Sequence, residues 1–121
     1  MQVTDAARLA RGDMLLLLNN DLTLHRFCLA NLLLTFRTHP GVGLVAPRFV
    51  DNKGGKLLEA GGLIFNDAKG WSYGRGDVAR DQHSLAPFSA TRETDYGSAA
   101  CVMVPRALFV ALDLYDRHFL P

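Results

Sequence analysis

Three consecutive polar residues, Asn19, Asn20 and Asp21, carry the side chains with the clearest chemical use in this sequence. They directly follow Met14–Leu18, a run of apolar residues without alternation. Such a run is typical of a strand buried on both faces, as in a parallel sheet. In open α/β sheets, ligands bind beyond the carboxyl ends of the strands. The pattern therefore places the three side chains where a ligand or a metal ion would bind. A solvent-exposed turn is the alternative, because asparagine and aspartate also favour turns.

The elements that would position this strand end alternate between helix and strand. Apolar spacing and turn residues predict helices over 4–11, 25–38 and 105–112, and strands over 14–18, 42–46, 57–65 and 98–104. The helix over 25–38 carries an apolar stripe at i, i+3, i+4 and i+7, formed by Leu29, Leu32, Leu33 and Phe36. The strand, helix and strand over 14–46 form a βαβ unit, whose crossover should be right-handed.

The composition of the chain limits the classes of protein to which it can belong. The chain has 121 residues, 49% hydrophobic and 21% charged, with a net charge of +1, which is typical of a globular domain and gives no reason to expect nucleic acid as a partner. The longest apolar run is far shorter than the ~20 residues of a membrane-spanning helix. Cys28 and Cys101 are expected to be buried thiols, with a disulfide as the alternative. We expect a protein of the cytoplasm, either free or attached to the inner membrane face.

Several segments, taken in order, resemble one family. They are Ala10-x-Gly12-Asp13 with Asn19-Asn20-Asp21, Pro40-x-Val42-Gly43-Leu44-Val45-Ala46-Pro47, Glu59-Ala60-Gly61-Gly62, Gly70-Trp71-x-Tyr73-Gly74-Arg75-Gly76, Asp95-Tyr96-Gly97-Ser98-Ala99-Ala100-Cys101 and Leu114-Tyr115-Asp116-Arg117-His118-Phe119. The series is similar to the middle of family 2 glycosyltransferases, in the subgroup that builds bacterial surface polysaccharides. The chain departs from the family pattern at Thr4, Ala99, Leu114 and Arg117.

The resemblance implies a fold and a reaction. The fold would be α/β: one partial GT-A (nucleotide-diphospho-sugar transferase) domain over 1–121, with a mostly parallel sheet and flanking helices. The reaction would move a sugar from a nucleotide-diphosphate donor to a glycan or lipid-linked acceptor, with inversion and with a divalent cation. The family's nucleotide-binding strands and catalytic-base motif have no counterpart in this sequence. We therefore expect a central fragment that is inactive by itself.

The resemblance also implies roles at the strand end. Asp21 would bind Mg²⁺ or Mn²⁺, since such cations often use one or two carboxylates together with substrate phosphates. Asn19 and Asn20 would donate hydrogen bonds to sugar or ribose hydroxyls. The cation would neutralise the charge that develops on the leaving diphosphate.

Five further residues are candidates for substrate binding: Trp71, Arg75, Asp95, Tyr96 and Ser98. Trp71 would stack on a sugar, or else anchor a loop. Arg75 would contact a phosphate, or else form a surface ion pair. Asp95 would touch a sugar, or else only begin a strand. It is a weak candidate for the catalytic base, and the base is not assigned to it.

A second class of function stays open. The chain would then be a non-catalytic GT-A remnant that binds a sugar or associates with itself. A truncated sheet exposes apolar edges, and such edges favour homo-oligomers.

Overall fold

The computed structural model describes residues 3–53, 56–75 and 88–115. The helices are α1 (Val3–Leu9), α2 (Cys28–Thr38) and α3 (Arg106–Ala111); the strands are β1 (Met14–Leu18), β2 (Phe49–Val50), β3 (Leu57–Glu59), β4 (Gly62–Ile64), β5 (Gly70–Ser72) and β6 (Cys101–Pro105). Within these ranges β1 pairs with β6, β2 with β3 and β4 with β5, and each pairing is antiparallel. None of the described helices is long and apolar enough to cross a membrane.

Strand β6 is central to the larger sheet. It pairs with β1 in a register that sets Leu15 opposite Val104 and Leu17 opposite Val102. On its other side, Met103 exchanges two backbone hydrogen bonds with Val45, at 2.8 and 2.9 Å. The N–H and C=O of one residue in an antiparallel strand point to the same side, and those of Met103 point to Val45. The backbone N–H and C=O groups of Val102 and Val104 must therefore point toward β1.

The hydrophobic core lies between this sheet and two helices. Five buried side chains form it: Ala7, Leu15, Val104, Phe109 and Leu114. They come from α1, β1, β6, α3 and the turn after α3, so the short helices are stabilised mainly by this packing. Arg106, the first residue of α3, fixes the start of β1, since its Nε donates to the Gly12 carbonyl over 2.9 Å and its N–H to the Asp13 carbonyl over 2.8 Å.

The prediction of a partial GT-A fold with a mostly parallel sheet is wrong. The described part of the chain holds small antiparallel sheets of two strands each. The predicted βαβ unit is absent from it, because the segment over 42–46 contributes only the antiparallel bridge at Val45. The apolar run Met14–Leu18 does form a strand, but Leu18 is 44% exposed, and among the described residues β1 has a strand on one side only. An apolar run predicts a strand without specifying the direction of its partner.

Some of the predicted bounds and buried faces of the helices and strands agree with the structure, and others do not. The strand predicted over 57–65 is indeed divided, into β3 and β4, around Gly61 with its φ of +81°. Helix α2 begins at Cys28 rather than at residue 25. Of its predicted apolar stripe only Leu32 is fully buried, while Leu29 is 47% exposed. The stripe therefore packs only weakly against the described part of the chain.

Candidate functional site

The end of β1 places the three polar residues at the surface. Asn19, Asn20 and Asp21 are all exposed, and the last two form a turn. The backbone N–H of Asn19 donates to the Ala100 carbonyl over 2.8 Å, which extends the β1–β6 ladder by one pair. The predicted location at a strand end is therefore correct, and the adjoining strand is β6.

A tight turn just before β6 lies beside this strand end. The N–H of Cys101 donates to the Ser98 carbonyl over 3.2 Å, and the N–H of Ala100 donates to Ser98 Oγ over 3.3 Å. The hydroxyl of Ser98 is thus an acceptor within the turn, and its own hydrogen stays available to a ligand. Gly97 lies against Ala46, where an added Cβ would come within 2.6 Å of the Ala46 methyl group. Ser98 is therefore held near the strand end on a turn with defined geometry.

Two open apolar grooves meet next to the strand end. The larger, about 490 Å³, runs between α1 and β1, and Asn19 lies on its wall. The smaller, about 180 Å³, lies between α3 and the segment that holds Leu44. Ala99, Leu17 and Tyr115 line both grooves. The polar strand end therefore adjoins an apolar surface, which suits a ligand that has both polar and apolar parts.

Asp95 and Tyr96 lie in the segment that leads to this turn, but they bind the β4–β5 hairpin. Asp95 Oδ2 accepts the N–H of Ile64 over 2.8 Å. The N–H of Gly62 donates to the Tyr96 carbonyl over 3.2 Å, and the Tyr96 hydroxyl lies 3.2 Å from Ser72 Oγ. One carboxylate oxygen of Asp95 is thus engaged in holding the backbone. These contacts give both residues a structural task alongside any contact with substrate.

Trp71 lies on β5 of the same hairpin. It is 52% exposed, and its ring meets that of Tyr73 edge-on, with 5.7 Å between the ring centroids. The guanidinium of Arg92 lies 5.2 Å from the centre of the Tyr73 ring. Arg75 is exposed, while Gly76 and the segment 116–119 of the resemblance lie outside the described residues. The hairpin thus presents the Trp71 ring to solvent, while Tyr73 is half-buried beside Arg92.

Cys28 and Cys101 are both free thiols, and the structure brings them together. Cys101 follows the Ser98 turn and is fully buried, and its thiol interacts with that of Cys28 at the start of α2. Burial raises the pKa of both thiols, and the contact raises that of Cys101 further. The sequence separation of 73 residues gave no signal of this contact.

The donors at the strand end suit a hard divalent cation. Asp21 is exposed and has no ion-pair partner among the described residues, so its carboxylate is free to act as a ligand. The described part of the chain contains no group of three or more histidine, cysteine or acidic residues that could hold a metal. A cation here would take the carboxylate of Asp21, with water and substrate phosphates as its other ligands. That donor set is common for Mg²⁺.

Comparison of the chain with protein-family models, curated proteins and solved structures finds no match.

Sequence reasoning missed Tyr115 and underestimated Ala99. Both line the grooves beside Asn19. Tyr115 is held by an edge-to-face contact with Phe109, with ring centroids 5.4 Å apart. Its placement depends on the left-handed turn at Asp113 and Leu114, with φ of +59° and +68°. Neither residue is glycine, so the usual sequence signal of a left-handed turn is lacking here.

Proposed function

We propose that this chain carries the cation-binding part of a glycosyltransferase that moves a sugar from a nucleotide-diphosphate donor to a glycan or lipid-linked acceptor, with inversion. The observation that carries the proposal is the location of Asn19, Asn20 and Asp21. They leave the sheet at an exposed strand end, beside the Ser98 turn and two apolar grooves.

In this proposal each residue of the strand end has a separate task. Asp21 offers the carboxylate for Mg²⁺ or Mn²⁺, and the cation would supply Lewis-acid stabilisation of the leaving diphosphate. Asn19 and Asn20 hydrogen-bond donor hydroxyls, and Ser98 donates its free hydroxyl hydrogen to a substrate oxygen. The grooves exclude water from the apolar side of the ligand. Trp71 offers a stacking face and Arg75 a positive charge to the sugar or phosphate. No residue is assigned as the base that deprotonates the acceptor.

The proposal is tested by calorimetric titration with Mn²⁺ and uridine or guanosine diphosphate as probes. We expect binding of at least one of these nucleotides to depend on Mn²⁺, because a cation held by Asp21 would neutralise charge on the diphosphate. Asp21→Asn keeps the size of the side chain and removes its charge. We expect that variant to bind the Mn²⁺–nucleotide pair at least tenfold more weakly, since hydrogen bonds and contacts to charged groups are worth about 1.5–3 kcal/mol.

Asp13→Asn is the matched control. Asp13 is also exposed, lies at the opposite end of β1 and uses its backbone carbonyl to bind Arg106. This variant should bind as the wild type does. Equal Mn²⁺-dependent binding by Asp21→Asn and the wild type would contradict the proposal.

A further inference from the structure

The outer edge of β1 has a regular set of free backbone groups. The backbone N–H and C=O groups of Leu15, Leu17 and Asn19 point to β6. The Asp13 carbonyl points to the same side, where it accepts the N–H of Arg106. By alternation, Met14, Leu16 and Leu18 direct their N–H and C=O groups to the other side. No described strand pairs there.

This edge has none of the usual features that prevent pairing. Exposed edge strands are commonly protected by a lysine, a proline or a β-bulge. The sequence Met-Leu-Leu-Leu-Leu holds none of these residues, and the register of β1 with β6 is continuous over five pairs. The larger groove lies between α1 and β1, with Ala6, Ala10 and Leu17 on its walls. An added strand would therefore gain both hydrogen bonds and apolar contact.

The charges that flank β1 fit a second copy of the same strand. Arg11 and Asp21 are both exposed and lie five residues before and five residues after Leu16. Arg11 precedes one end of β1 and Asp21 follows the other. An antiparallel pair with a twofold axis at Leu16 therefore brings the end that carries Arg11 in one copy next to the end that carries Asp21 in the other. Neither side chain has an ion-pair partner among the described residues. The register that pairs all outward backbone groups thus also brings strand ends of opposite charge together.

We propose that two copies of this chain associate through the outer edges of their β1 strands, antiparallel and with Leu16 on the twofold axis. Met14 of one copy pairs with Leu18 of the other, and the β1–β6 sheets join into one continuous sheet. Directly opposed residues in a sheet share a face. Leu15 and Leu17 of the second copy therefore enter the groove beside α1. This proposal does not depend on glycosyl transfer.

The register is tested by oxidative cross-linking of the full chain, without nucleotide or metal. Opposed residues of a hydrogen-bonded pair have Cα atoms about 5.5 Å apart, within the range of a disulfide. We expect Leu16→Cys to form a covalent dimer on treatment with diamide. Leu18→Cys is the matched control, since its two copies lie about 14 Å apart along the strands and cannot join. The wild type controls for the native thiols.

Sedimentation measurements test the association itself. We expect a mass twice the 13.3 kDa of one chain. Arg11→Glu should weaken the dimer about tenfold, and adding Asp21→Arg should restore it, since the reversed charges again complement each other. Failure to restore would overturn the charge pairing. A monomer at all concentrations, or equal cross-linking at positions 16 and 18, would overturn the proposal. Asp21 takes part in both proposals, but cross-linking at positions 16 and 18 leaves Asp21 unchanged, so it tests the dimer separately from cation binding.

Discussion

Tyr96 fills the space that a side chain at Gly62 would need. A Cβ built on Gly62 would lie 2.2 Å from the Tyr96 ring, while one built on Gly70, across the hairpin, would lie 3.4 Å from it. The first distance is a clash and the second an ordinary contact. Gly62 is therefore required by close packing rather than by its backbone angles.

This difference predicts opposite effects of the same substitution. Gly62→Ala should lower the free energy of unfolding by about 1–3 kcal/mol, because the ring must move. Gly70→Ala should be neutral or should stabilise by about 0.4–1 kcal/mol, because alanine restricts the unfolded chain. Urea denaturation of both variants measures the two effects. Equal stabilities would show that the ring does not constrain this site.

At the scale of elements, the thiol pair joins the start of α2 to the start of β6. Burial raises the pKa of both Cys28 and Cys101 in the folded protein. Well below pH 8.5, about the ordinary pKa of a thiol, both thiols are neutral in either state and the stabilising effect is complete. As the pH rises further, the unfolded chain releases its thiol protons first, so the folded state loses stability.

We expect the double variant Cys28→Ala/Cys101→Ala to lose less stability than the wild type between pH 7.5 and pH 10. Urea midpoints at the two pH values measure this. The comparison of slopes cancels the effect of the lost side-chain volume, which is the same at both pH values. Parallel pH dependences would contradict the assigned environment of the thiols.

The elements were more predictable than their pairing. The apolar run Met14–Leu18 and the helix before Pro40 follow from local patterns, and both exist in the structure. The partner of β1 is β6, 87 residues away in a register that sets Leu18 opposite Cys101, and no local pattern encodes that direction. The location of Asp21 at a strand end survives because it depends only on the strand itself. The contact of that end with Ala100 needed the tertiary structure.

At the scale of the whole molecule, the proposed dimer predicts an alternating pattern of amide exchange along β1. The amides of Leu15 and Leu17 point toward β6 and should be protected at any protein concentration. The amides of Leu16 and Leu18 point outward and should exchange more slowly only as the concentration rises. Hydrogen exchange measured by NMR at two concentrations distinguishes the sets. Slow exchange of Leu16 in a dilute, monomeric sample would contradict the assignment of the outer edge.

Trp71 is the single tryptophan of the chain, and it lies on the hairpin rather than on the β1–β6 sheet. Its indole emission therefore reports the melting of the hairpin, while the ellipticity of the peptide bonds also includes the sheet and its helices. The residues over 94–100 connect the two, since Asp95 binds Ile64 and Ala100 binds Asn19. Thermal curves that coincide by the two optical signals would mean that this connection makes hairpin and sheet a single cooperative unit.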